Sequence, residues 1–298
     1  MAKSALLKSS ITKKYWMSLT GLFLCVFLIG HLAGNLQLLT GTALQFNEYA
    51  LFMTTNPAVK ILSYVTYISI LFHAVDGILL TIQNRKARPI GYVKQDAGAS
   101  SGFAARNMAV LGSLILIFIV IHLKNFWYEM HYCQEMPLMT KMVEQGGVKS
   151  YQLIGSKNSP MPILSLGDKQ KIDDEFIKNV SIQTQGQYEL KVDGAKLINK
   201  KDGEILFEGY KDLHKITFDF FRIEKNNMGL IFTILYVLSM IVLGFHLWHG
   251  FQSAFVSIGI RNKSWTPRIQ LVGKSFAVLI PFFFAIIPLC IHFKIFVK

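Results

Sequence analysis

Five stretches of the chain are apolar for long enough to cross a bilayer, and polar segments separate them. A spanning helix needs about 20 mostly apolar residues. The candidates run over 15–40, 57–83, 105–130, 228–258 and 270–296. Between them lie a short loop (41–56), a basic loop (84–104), a long polar segment (131–227) and a second short basic loop (259–269). The pattern predicts an all-α membrane protein of five transmembrane helices with one large insert. Helices one to three fall in 1–132, the insert in 133–226, and helices four and five in 227–298.

Within the insert the period changes. QYELKVDGAKLINKKDGEILFEGY (187–210) alternates polar and apolar positions around two Asp-Gly pairs, Asp193-Gly194 and Asp202-Gly203. Asp-Gly between alternating runs is a hairpin signal, because glycine accepts the positive φ that tight hairpin turns require. The insert is therefore expected to be a β-rich lobe. It shows no catalytic motif.

Composition agrees with the hydropathy pattern. Hydrophobic residues make up 52% of the 298 and charged residues only 16%, with a mean hydropathy of +0.37. That balance belongs to integral membrane proteins. The formal net charge of +13 raises the question of a nucleic-acid surface, and its distribution answers it. The insert holds 14 Lys/Arg against 14 Asp/Glu. Thirteen of the remaining cations lie in the N-terminal tail (Lys3, Lys8, Lys13, Lys14), the loop after the second span (Arg85, Lys86, Arg88, Lys94, Arg106) and the loop after the fourth (Arg261, Lys263, Arg268, Lys274). Only Lys60, Lys124, Lys294 and Lys298 fall on the other side. The positive-inside rule explains the excess without nucleic acid. It predicts a cytoplasmic N-terminus, with the C-terminus and the insert outside. The basic N-terminus precedes an apolar run too long for a signal-peptide core, so it is expected to be retained. Cys25, Cys133 and Cys290 form no C-x-x-C pair, so neither a disulfide framework nor covalently attached haem is indicated.

Six histidines lie within spans: His31, His73, His122, His246, His249 and His292. Titratable rings inside hydrocarbon are costly and mark function. At a rise of about 1.5 Å per residue, His31 and His122 each stand about 24 Å from the basic side. By the same count His73 stands at about 15 Å and His246 at about 18 Å. The four thus form an upper and a lower pair, each drawn from two helices. Two imidazoles facing each other across a bundle suit the axial positions of a haem iron in electron transfer. Gly34, Gly77 and Gly250 lie one turn after His31, His73 and His246, where they either make room for a macrocycle or serve ordinary helix packing. Spacing leaves His246 and His249 open as the fourth ligand. For His249 and His292 the alternative is an interhelical hydrogen bond.

Four local contexts, KKYWMSLTGLFLCVFLIGHLAGN, ILFHAVDGILL, IVIHLKNFW and LGFHLWHGFQSAF followed by GI…TPR, occur in this order. Together they resemble the diheme cytochrome b558 membrane-anchor subunit of succinate:quinone oxidoreductases, over 10–130 and 228–296. The resemblance implies two b haems, with His31 and His122 holding the distal one and His73 and His246 the proximal one. It selects His246 over His249. It implies a flavoprotein (FAD) subunit and an iron-sulfur subunit as cytoplasmic partners, menaquinone as electron acceptor, and a bacterial cytoplasmic (inner) membrane location. The chain would carry electrons and would not touch succinate. The insert is longer than the corresponding loop of that family, and nothing carries over to it. Some diheme fumarate reductases have a Glu two residues before the fourth-span ligand; here Gly244 stands there, which puts that proton route in doubt.

Quinone reduction consumes protons. Glu48, the only acid of the first outer loop, is the candidate for quinone protonation, or else a plain solvated charge. Asp76, one turn from His73, could bond His249 or a propionate. Arg85, Lys86 and Arg88 either pair with proximal propionates or serve only as inside cations. The hydroxyls of Ser18 and Thr20 either cap a propionate or bond their own helix. Three further readings stand beside the succinate oxidoreductase: the same subunit in a fumarate reductase, a haem-free transporter or structural protein, and a membrane-anchored binding module.

Overall fold

The computed structural model describes residues 9–87, 90, 101–133 and 136–295. Lys3, Lys8, Arg88, Lys94 and Lys298, named above for their charge, lie outside the described residues. Among the described residues, five helices are long and apolar enough to cross a membrane. They begin or end within a few residues of the expected limits. In hydrocarbon a helix satisfies its own backbone polar groups, so long apolar runs leave the chain no other conformation there.

The first is α1, Ser10–Thr40. The connection after it is helical, where a loop was expected: α2 runs over Ala43–Thr55. Its start is a reciprocal capping box. The Gln45 amide donates to Thr42 Oγ1 at 3.2 Å, and the Thr42 amide donates to Gln45 Oε1 at 2.9 Å. Asn56 then stops one helix and starts the next. Its Oδ1 accepts the Ala58 amide at 2.9 Å, and Pro57 supplies a first helical residue that has no N–H to lose. This begins α3, Pro57–Ala87.

The third span starts as α4, Met108–His122. It continues as a π-helical stretch, Leu123–Tyr128, and one closing turn, Glu129–Tyr132. The insert contains two separate antiparallel sheets of three strands. The first joins β1 (Thr140–Gln145), β2 (Val148–Ile154) and β3 (Ile163–Gly167). The second joins β4 (Leu190–Asp193), β5 (Lys196–Asn199) and β6 (Ile205–Glu208). Both expected Asp-Gly hairpins are present, with Gly194 at φ 59° and Gly203 at φ 77°. Helix α5, Asp174–Gln183, is capped by Asp173. Helix α6, Leu213–Phe221, is capped by Asp212, whose Oδ1 accepts the Lys215 amide at 3.0 Å. Leu153, Leu166, Leu190, Leu197 and Phe207 form the core of the lobe.

The last two spans are α7, Gly229–Ser257, and α8, Trp265–Phe293. Their seam is tight. A Cβ on Gly244 would stand 3.1 Å from the Ala277 carbonyl oxygen, and one on Gly273 2.7 Å from the Phe251 ring. Ala277 lies four residues before Pro281, and proline has no N–H, so that carbonyl lacks its intrahelical donor. Gly244 lets α7 lie directly against it. The sequence departure noted at Gly244 thus has a packing reason: a side chain there would meet backbone.

Two compact units emerge. One contains residues 1–39, 56–121 and 221–298, hence most of the spanning helices. The other contains residues 40–55 and 122–220. The unit that holds the lobe therefore also takes in α2 and begins at His122, a wider body than the 133–226 expected from composition.

Candidate functional site

The first unit brings two of the sequence-predicted residues together. His73, on α3, and His246, on α7, face each other with ring centroids 6.1 Å apart and planes 70° apart. The His73 Nδ1–H donates to the Met17 carbonyl at 3.0 Å. A carbonyl can only accept, so this contact puts the proton on Nδ1 and leaves the Nε2 lone pair for a ligand. Thr20 Oγ1 lies 3.4 Å from the same nitrogen. On the other ring, His246 Nδ1 is buried with no hydrogen-bond partner among the described residues. Buried polar atoms are satisfied in the great majority of cases, and an exception needs a reason.

Space for the two rings comes from neighbouring helices. A Cβ on Gly21 of α1 would stand 3.0 Å from His73 Cε1, and one on Gly112 of α4 would stand 3.5 Å from His246 Cε1. The glycines one turn along, Gly77 and Gly250, do not perform this role. A Cβ on Gly77 would meet nothing within 4 Å, and one on Gly250 would touch only the Met108 methyl at 3.7 Å. The two rings themselves are met by glycines on other helices, Gly21 and Gly112. Of the two histidines one turn apart on α7, His246 is the one whose ring faces His73.

His31 and His122 belong to different units, and each is described in its own. The His31 ring stacks on Phe27 at 5.2 Å and lies tilted against Phe284 at 5.6 Å. The Asn35 amide nitrogen is 3.4 Å from His31 Nδ1 and donates to the His31 carbonyl at 2.8 Å. His122 closes α4 immediately before the π-helical stretch, with its ring against Phe126 at 5.4 Å. Single π turns inside helices concentrate at functional sites, and nothing in the hydropathy pattern announces this one.

The remaining candidates have definite places. His292 Nδ1–H donates to the Phe221 carbonyl at 2.7 Å, the interhelical bond that was its alternative reading. Ser18 and Thr20 donate to the Lys14 and Trp16 carbonyls at 2.7 and 2.8 Å, so both bond their own helix. Asp76 is buried on α3, one turn from His73.

Glu48 is not a plain solvated charge. The buried Tyr210 hydroxyl donates to its Oε1 at 3.4 Å, and Lys157 Nζ stands 3.5 Å from its Oε2. Burial, with the Glu48 charge second, pushes the Tyr210 phenol up from its ordinary value. Beside Glu48, Asn47 is 1% exposed. It donates to Asp212 Oδ1 at 2.8 Å and accepts the His214 amide at 3.0 Å. These long-range partners of α2 had no signal in the sequence. A cavity of about 200 Å3 in this unit is lined by Asn47, Leu51 and Thr54 on one face of α2, together with His131 and Lys211. Lys211 Nζ donates to the Met130 carbonyl at 2.7 Å, and burial lowers the pKa of its ammonium.

Among the described residues, no three His, Cys, Asp or Glu side chains converge to hold a metal. A metal held between His73 and His246 would therefore have two protein ligands. Comparison with protein-family models, with curated proteins and with solved structures finds no match.

Proposed function

We propose that the chain is the diheme b558-type membrane subunit of a succinate:quinone oxidoreductase. In this reading His73 with His246 and His31 with His122 hold the two b haems. The flavoprotein and iron-sulfur subunits dock on the basic, cytoplasmic side of a bacterial inner membrane. Electrons leave to menaquinone, and the insert and C-terminus lie outside.

The observation that carries the proposal is the pair formed by His73 and His246. A metal–imidazole bond is about 2 Å, and a ring nitrogen lies about 1 Å from its ring centre, so two imidazoles that shared one metal would stand about 6 Å apart, centre to centre. The observed 6.1 Å matches that spacing. Two protein ligands suffice for an iron whose other four come from a macrocycle. The partnerless His246 Nδ1 and the glycines at both rings support a site built for a further group.

When bound, haem supplies one-electron redox chemistry. The chain supplies the rest. Met17 holds the proton on His73 Nδ1, which fixes the ring's orientation and raises its basicity as a ligand. Gly21 and Gly112 leave the rings room. His73 and His246 would hold the group, and with both protein ligands in place it would serve electron transfer rather than binding of a further ligand. Glu48 is the proposed source of protons for quinone, with Tyr210 and Lys157 setting its environment. Gly244 offers no carboxylate on the fourth span, so proton movement along that helix is not part of this reading. The same arrangement serves a fumarate reductase, because direction is set by the quinone and the catalytic subunits.

One observation favours the haem-free reading: the bond from His292 to Phe221 is an intramembrane histidine serving structure alone. A reduced-minus-oxidised spectrum of the purified full chain, with haem counted per polypeptide, separates the two. Two b-type haems per chain support the proposal. A folded, membrane-inserted chain without haem overturns it.

A further inference from the structure

One turn of α1 is built around the His73 ring. Met17 supplies the carbonyl that accepts the Nδ1–H at 3.0 Å. Gly21 supplies bare backbone, where a Cβ would stand 3.0 Å from His73 Cε1. Thr20 lies between them in sequence, with its Oγ1 3.4 Å from the same Nδ1. We infer that Thr20 is a positioning residue for His73: its hydroxyl oxygen shares the Nδ1 proton with Met17 and so strengthens Nε2 as a ligand. The inference rests on the proposed haem reading.

The direction of the Thr20 proton carries the argument. A hydroxyl has one proton to donate and two lone pairs that accept. Thr20 Oγ1 reaches two carbonyls of its own helix, Trp16 at 2.8 Å and Met17 at 3.1 Å. The shorter contact takes the proton. The lone pairs are then left for His73, whose Nδ1 carries a proton and can only donate. Within a spanning segment no water competes for the hydroxyl, so its own helix fixes its direction.

The two rings of the pair are therefore unlike. His73 has two acceptors at Nδ1, a carbonyl and a hydroxyl, while His246 Nδ1 has none among the described residues. Acceptors at Nδ1–H push electron density into the ring and make Nε2 the better donor. A better donor favours the oxidised metal and lowers its potential, because hydrogen bonding around the ligands is one of the protein's levers on a haem. His73 is the stronger donor of the two, and removing the Thr20 oxygen should raise the potential of the haem this pair holds.

Redox titration of the purified full chain, followed through its visible spectrum, tests the inference. Thr20→Val keeps the branched shape without the oxygen, and should raise the midpoint potential of one haem while the other stays unmoved. Thr20→Ser restores the hydroxyl and should return the potential to the wild-type value. Thr81→Val, on α3, removes a hydroxyl that donates to the Gly77 carbonyl of its own helix at 2.8 Å, and should move neither potential. Thr20→Ala carries the same expectation as Thr20→Val and replaces it if the valine variant does not fold. Unmoved potentials in the Val and Ala variants of a two-haem chain overturn the inference and leave the haem reading standing. A shift that Thr20→Ser does not reverse makes Thr20 a packing residue, and overturns it as well. A folded, membrane-inserted wild-type chain without haem overturns the haem reading and this inference with it.

Discussion

His73 and His246 meet ring to ring from α3 and α7, 173 residues apart in the chain, with His73 held in a single tautomer by Met17. In the proposed diheme reading the two side chains hold one haem together, so their substitutions should not add. His73→Ala and His246→Ala are each expected to remove the same one of two haems, and the double variant to remove no more. His31→Ala and His122→Ala should remove the other, and His249→Ala neither. Haem per polypeptide, from pyridine haemochrome assays on each variant, checks the pattern.

The two glycines at these rings differ in how closely they approach. A methyl at position 21 would stand 3.0 Å from a ring carbon, and one at position 112 would stand 3.5 Å away. The first is closer than side chains normally pack, while the second is ordinary contact. Gly21→Ala should displace the His73 ring from Met17, and in the proposed reading this shifts the midpoint potential of one haem or reduces its occupancy. Gly112→Ala should leave both unchanged. Redox titration of the two variants separates them.

The seam between α7 and α8 depends on Gly244 having no side chain. Gly244→Ala forces the Ala277 carbonyl away and should destabilise the protein by about 1–3 kcal/mol, the usual cost of overpacking. Gly244→Glu, with a larger side chain against the same carbonyl, should be worse and should yield little folded protein. Thermal unfolding in detergent measures the first, and the recovered monodisperse fraction measures the second.

Asn47 is the buried link between α2 and α6. Asn47→Ala leaves the Asp212 carboxylate and the His214 amide short of a partner, at an expected cost of about 2–3 kcal/mol. Hydrogen exchange on the full chain should show α2 and α6 losing protection together. Loss confined to α2 would contradict the link.

The lobe should weaken in acid at a known place. Asp173 accepts the Phe176 amide at 2.7 Å and pairs with Lys169, and these two contacts hold its carboxyl below the ordinary carboxylate range. A depressed acid stabilises the fold above its unfolded pKa and loses that contribution as pH falls through the folded one. Protection of the α5 amides should therefore decline below about pH 4 in the wild type. Asp173→Asn keeps an acceptor at the cap but has no charge to lose, so it should start less protected and decline less.

The spanning helices were legible because lipid permits a long apolar run few conformations. The lower histidine pair was legible because a constant rise per residue turns sequence position into depth. Other features had signals that went unread: T-A-L-Q at 42–45 is a capping box that starts α2, and Gly146-Gly147, at φ 60° and 80°, forms the turn between β1 and β2. The remainder had no local signal. Gly21 serves a ring on another helix, Gly244 serves a carbonyl that a proline left bare, and the partners of Glu48 lie more than a hundred residues downstream. Contacts of that range depend on tertiary packing, which periodicity does not encode. The π-helical stretch after His122 keeps the hydropathy of the α-helix it interrupts, so hydropathy could not reveal it.

The bond from Asn47 to Asp212 closes a loop of 165 residues. During synthesis α2 emerges first and must wait, with its most buried polar group unsatisfied, until the lobe and the start of α6 have been made. Contacts of such long sequence separation form late, because the chain entropy lost on closing them comes before their return. The first connection between spans is thus completed among the last. Excising residues 133–226 would not return a simpler five-helix protein, because it would leave the connection between the first two spans permanently half-built.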